Sequence, residues 1–107
     1  MKYSIQKGNL KMNGLAEKLI HRKTDKLETL LTHYHPELID LKIKINKLED
    51  KGIFTVQMLL SLPSQVLRSE KESKDVVEAM GLAFDTLIRE VKKFKERLRK
   101  EHTYSKV

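Results

Sequence analysis

Seven cations crowd the stretch from residue 89 to residue 101: Arg89, Lys92, Lys93, Lys95, Arg97, Arg99 and Lys100, against only Glu90, Glu96 and Glu101. Guanidinium and ammonium groups donate hydrogen bonds and do not accept them, so such a set suits phosphate oxygens. Their spacing is helical: Arg89, Lys93, Arg97 and Lys100 form one row, and Lys92, Lys95 and Arg99 a second. An earlier set, Lys18, Arg22 and Lys26, recurs every four residues, with His21 and Lys23 beside it. Two helices lying side by side with these rows outward would border one groove. A polyanion is the ligand class that fits, and RNA is the leading candidate.

These cations need rigid elements to carry them. Val77, Met80, Phe84, Leu87, Val91, Phe94 and Leu98 follow one another at alternating steps of three and four residues. That is one buried stripe of a long helix, and the two basic rows flank it. Ser73 is expected to cap this helix, with Asp75 favourable in its first turn. For the earlier set, Asn13 offers a cap, and Ala16, Leu19, Ile20, Lys23, Leu27, Leu30, Leu31 and Tyr34 keep the helical period until Pro36 stops it.

The remaining patterning has period two. Tyr3 to Lys7 reads as a short first strand ending near Gly8 and Asn9. Ile39, Leu41, Ile43 and Ile45 alternate with Asp40, Lys42, Lys44 and Asn46; Phe54, Val56, Met58, Leu60 and Leu62 alternate with Thr55, Gln57 and Ser61. Glu49, Asp50, Lys51 and Gly52 form the hairpin loop between them, with Gly52 where positive φ is needed. Leu59 breaks the polar side of this alternation, which suggests an edge contact. After Pro63–Ser64, residues 65–70 read as a short edge strand. The order is β-α-β-β-β-α, an α+β two-layer sandwich with a four-stranded sheet and two helices on one face, like a double-stranded-RNA-binding domain. One domain spans residues 1–102, and residues 103–107 are expected to form a short flexible tail.

Composition narrows the function classes. A formal charge of +7 and a pI near 9.6 favour phosphate-bearing partners. No cysteine is present, which removes disulfides, thiolate metal sites and cysteine nucleophiles. The N-terminus lacks an apolar signal core and no apolar run reaches membrane length, so a cytoplasmic protein without membrane contact is expected. His33-Tyr34-His35, with Glu28 or Glu37 nearby, has unspecific spacing at a helix end, and no metal site or cofactor is expected. Phosphate-loop, dinucleotide and nucleophile-elbow motifs do not occur, so no residue set supports catalysis.

Three segments in register resemble one family. His21-Arg22-Lys23-Thr24-Asp25-Lys26-Leu27-Glu28 is similar to its "x-K-x-x-K-L-E" helix, and Asp75-Val76-Val77-Glu78-Ala79-Met80 to its "D-x-Y-x-A-I". Asp85-Thr86-Leu87-Ile88-Arg89-Glu90-Val91-Lys92-Lys93-Phe94-Lys95 is similar to its "D-K-L-x-R-Q-L-x-K-x-K". The family is that of the ribosome hibernation-promoting factors, also called ribosome-associated inhibitors or subunit-interface proteins. The resemblance implies binding to the small ribosomal subunit and its ribosomal RNA, in the channel used by messenger and transfer RNA. It carries Lys23 and Lys26, then Arg89, Lys93, Lys95 and Arg97, onto the family's basic positions. Lys18, Arg22, Lys92, Arg99 and Lys100 join them on the physical reading alone. Thr86 stands where many relatives have lysine, Val77 where tyrosine is usual, and Glu90 where glutamine is. At 107 residues the chain looks like the family's short form, monomeric off the ribosome and working there with a second hibernation factor.

Two other readings compete. A generic double-stranded-RNA-binding domain would concentrate lysines at the N-terminus of its last helix, whereas Glu70-Lys71-Glu72-Ser73-Lys74-Asp75 is nearly neutral. A helix-mediated protein-interaction module would use Val77 to Leu98 as a coiled-coil seam, but Ala79 and Ala83 widen the apolar face beyond such a seam.

Overall fold

Asn13 opens the first helix by a local mechanism: its Oδ1 accepts from the Ala16 N–H at 2.9 Å, satisfying one of the donors a helix start leaves unpaired. In the computed structural model, which describes the backbone of residues 1–105 and side chains as far as Arg99, this helix is α1 (Gly14–Leu30). It follows strand β1 (Lys2–Gln6), one residue earlier than the sequence pattern suggests. The turn between them places Gly8 at φ 57°, a conformation that costs glycine little. His35 and Pro36 end the helical stretch in a single 3-10 turn, where His35 Nδ1 accepts from the Glu37 N–H at 3.4 Å.

The sheet is completed by β2 (Asp40–Leu48), β3 (Ile53–Leu62) and β4 (Gln65–Ser73), in spatial order β1-β2-β3-β4. β1 runs parallel to β2, and the remaining pairs are antiparallel hairpins. Gly52, at φ 61°, turns the first hairpin, as its loop chemistry requires. Leu41, Ile43 and Ile45, then Val56, Met58, Leu60 and Leu62, point to the helical side and are buried. Among the described residues, no helix packs on the opposite face of the sheet.

Two expectations need correction here. Leu59 lies on β3, an interior strand, between Lys42 of β2 and Arg68 of β4; it makes no edge contact. β4 is indeed the edge strand but continues past Glu70 to Ser73, because its pairing with β3 extends to the Phe54–Ser73 rung.

The second helix, α2 (Val76–Ser105), lies over β3 and β4 beside α1. Its cap is Asp75 rather than Ser73. Asp75 Oδ1 accepts from the Val77 N–H at 3.0 Å, and its carbonyl accepts the first helical bond from Ala79. Ser73 Oγ instead accepts from Asp75 N at 3.3 Å, tightening the turn one step upstream. Met80, Phe84, Leu87 and Val91 are fully buried, with Ala79, Ala83, Ile88 and Phe94 beside them. The stripe is therefore spent on the sheet, leaving no seam for a coiled-coil partner. α2 continues to Ser105, into the stretch expected to form a tail, and residues 106–107 lie outside the described part. The molecule measures 56 × 24 × 18 Å, its length set by this helix.

Candidate nucleic-acid interface

Contacts between the helices fix how their cations are arrayed. Lys23 Nζ donates to Asp85 Oδ1 at 2.9 Å. Four residues earlier on each helix, Leu19 faces Gly81, where a Cβ would stand 4.0 Å from Leu19 Cδ2. Both pairs carry the same offset, so α1 and α2 run parallel and in step. Continued along the axes, Lys26 comes level with Ile88 and Leu30 with Lys92. There α1 ends, while α2 proceeds for about 20 Å more.

The rotation of each helix follows from the same anchors at about 100° per residue. On α1, Arg22 and Lys26 each lie three residues beyond an anchor, so they stand on the outer slope facing α2. Lys18 sits on the crest, level with Met80 and about two and a half turns above Arg89. On α2, Lys92, Lys95 and Arg99 continue the Gly81–Asp85 flank toward α1 and the space below it. Arg89 and Lys93 stand on the outward crest, and Arg97 turns toward the β4 side.

The two rows therefore converge in part. Arg22, Lys26, Arg89 and Lys92 surround the lower end of the inter-helix valley, and Lys93, Lys95, Arg97 and Arg99 extend the field along α2. Lys18 does not join them. Lys23 occupies the valley floor, largely buried, and its charge is taken up by Asp85. Lys100 falls outside the described side chains.

Acidic groups trim this field without cancelling it. Glu90 approaches Lys93 at 3.8 Å, a loose surface pair in which Lys93 keeps most of its exposure. Arg89, Lys92, Lys93 and Arg97 are exposed and Lys95 is half-buried. Thr86, where the family pattern has lysine, tucks its hydroxyl out of solvent. The N-terminus of α2 is already occupied by the Asp75 carboxylate, so a double-stranded-RNA-binding domain's phosphate site is closed at that end. His33 and His35 serve local ends: one ring lies against Tyr34 at 4.7 Å and the other caps the 3-10 turn.

Sequence reasoning missed two features. Asp85 appears there only as a motif letter, yet it ties the helices together. Lys42, Lys44 and Arg68, on the far side of the sheet, form a second cationic cluster around Leu59. The one hint in the sequence is Leu59 itself, an apolar residue in the polar phase of its strand.

A two-layer α+β domain whose helix pair carries a cationic field is the structural class. Within it, this chain belongs to the Sigma 54 modulation protein / S30EA ribosomal protein family, whose model matches residues 3–99. The N-terminal domain of Protein Y from Thermus thermophilus has a similar solved structure, with TM-score 0.68 and 22% identity over 88% of this chain and 99% of that one. A ribosomal subunit interface protein from Coxiella burnetii has a TM-score of 0.65 and 18% identity, over 90% of this chain and 99% of that one. At these identities the likeness is one of fold. The resemblance drawn from the three sequence segments is borne out at the level of the family.

Proposed function

We propose that this protein is a ribosome-binding translation inhibitor that occupies the messenger- and transfer-RNA channel of the small ribosomal subunit. The observation that carries this reading is the cationic lower half of α2, extended past the end of α1 and reinforced by Arg22 and Lys26. A slim rod bearing phosphate-binding groups on its outward faces suits insertion into an RNA-walled channel. Its place there is set by shape and by backbone contacts rather than by base readout.

The protein acts by occupancy, with no catalytic step and no cofactor. The family's association with ribosomes supports this reading and a cytoplasmic location with it; no described helix is long and apolar enough to cross a membrane. Off the ribosome the protein is a monomer, since the stripe that could pair two copies is consumed by its own sheet. Any second hibernation factor would meet it on the ribosome.

Co-sedimentation with purified small subunits tests the proposal. Arg89→Glu/Lys93→Glu replaces two attractions by two repulsions and is expected to weaken binding by about 10²-fold at moderate salt. Equal pelleting of the variant and the wild type would overturn it.

A further inference from the structure

We propose that the uncovered face of the sheet is a second RNA site, one that takes a single-stranded segment independently of the helical face. The register builds it. Lys42 stands opposite Leu59, and Leu59 opposite Arg68, on three adjacent strands. Strands about 4.8 Å apart put the two cationic residues roughly 10 Å apart with Leu59 between them. The next outward rung reads Gln6, Lys44, Gln57, Glu70. These residues line a hollow of about 480 Å³.

The chemistry of the hollow is that of a nucleotide bed. Its floor is the half-buried Leu59, an apolar surface for the face of an unstacked base. Its walls are Lys42, Lys44 and Arg68, which reach phosphate, and Arg68 offers a guanidinium plane for stacking as well. Gln6 and Gln57 supply amides that both donate and accept, as base edges require. Among the described residues the only carboxylate lining the hollow is Glu70, and Gln57 Nε2 donates to its Oε1 at 3.2 Å. Three cations against one engaged carboxylate complement an anionic strand.

A duplex fits poorly, because its bases are stacked inward and Leu59 would meet only backbone. An acidic peptide fits poorly too. Extended peptides add to a sheet edge, whereas this hollow opens on the face of the sheet and is centred on the interior strand β3.

The test is fluorescence anisotropy with a labelled oligouridylate of about ten nucleotides. Lys42→Gln/Arg68→Gln keeps two long, uncharged polar side chains while removing both charges, and Leu59→Ser removes the floor; thermal melts of both confirm the fold. Each is expected to raise Kd about tenfold, whereas Arg89→Gln/Lys93→Gln raises it less than about threefold. An oligonucleotide carrying 4-thiouridine is expected to crosslink within residues 57–59 or 66–70. Unchanged affinity in both sheet variants, crosslinks confined to α2, or displacement of the oligonucleotide only by an acidic peptide would each overturn the site. Small-subunit pelleting of the helix variant reads the other proposal separately, so either one can fail alone.

Discussion

Lys23 and Lys26 are three residues apart and carry the same charge, yet the structure gives them different work. Lys23 is turned inward onto Asp85, whereas Lys26 faces solvent on the slope toward α2. Lys23→Ala is therefore expected to reduce small-subunit affinity less than Lys26→Ala, measured by equilibrium binding at fixed salt. Its cost is to the helix pair instead. Asp85 is about half exposed, so a double-mutant cycle of Lys23→Ala and Asp85→Ala in urea should give a coupling below about 1 kcal/mol. Periodicity sets Lys23 in the same period as Leu19 and Leu27, but it states which residues share a face and not what the neighbouring helix places against them. The acidic partner lies 62 positions away, a separation that no local pattern encodes.

At the scale of elements, boundaries depended on atoms that sequence signals only approximate. Ser73 and Asp75 are both good capping types, and the structure shows Asp75 taking the helical donor while Ser73 closes the preceding turn. Asp75→Ala should cost about 1 kcal/mol in chemical denaturation, and Ser73→Ala clearly less. Gly81 offers the opposite opportunity. It sits inside α2, and an added methyl would meet only Leu19 Cδ2 at ordinary contact distance. Gly81→Ala is expected to stabilise the protein by about 0.5–1 kcal/mol through helix propensity, seen as a rise of a few degrees in Tm. The strands were more legible. The alternation of Leu41, Ile43 and Ile45 with Lys42, Lys44 and Asn46 has a single core-facing solution, and the structure adopts it. Leu59 was misjudged because strand order, which decides edge from interior, is a property of the whole sheet.

The whole molecule explains why the candidate interface was half visible beforehand. The α+β order and the two basic helices follow from local periods, so the cations on α2 could be named from spacing. Which of them face α1, and where α1 stops beside α2, follows from packing alone. On the proposed reading the emphasis shifts: Lys18 and Lys23 stand apart from the field, and the stretch of α2 beyond the end of α1 carries half of its described cations. The proposal implies binding through many modest phosphate contacts rather than through one anchor.

Its salt dependence is therefore the most direct measurement of the central claim. The dissociation constant for purified small ribosomal subunits would be measured across a range of salt concentrations. About six phosphate contacts predict that log K falls with log salt at a slope near −4 to −5. Arg89→Gln/Lys93→Gln should make that slope shallower by about two. A slope near zero, or one that the substitutions leave unchanged, would contradict the claim that the helical cations grip ribosomal RNA backbone.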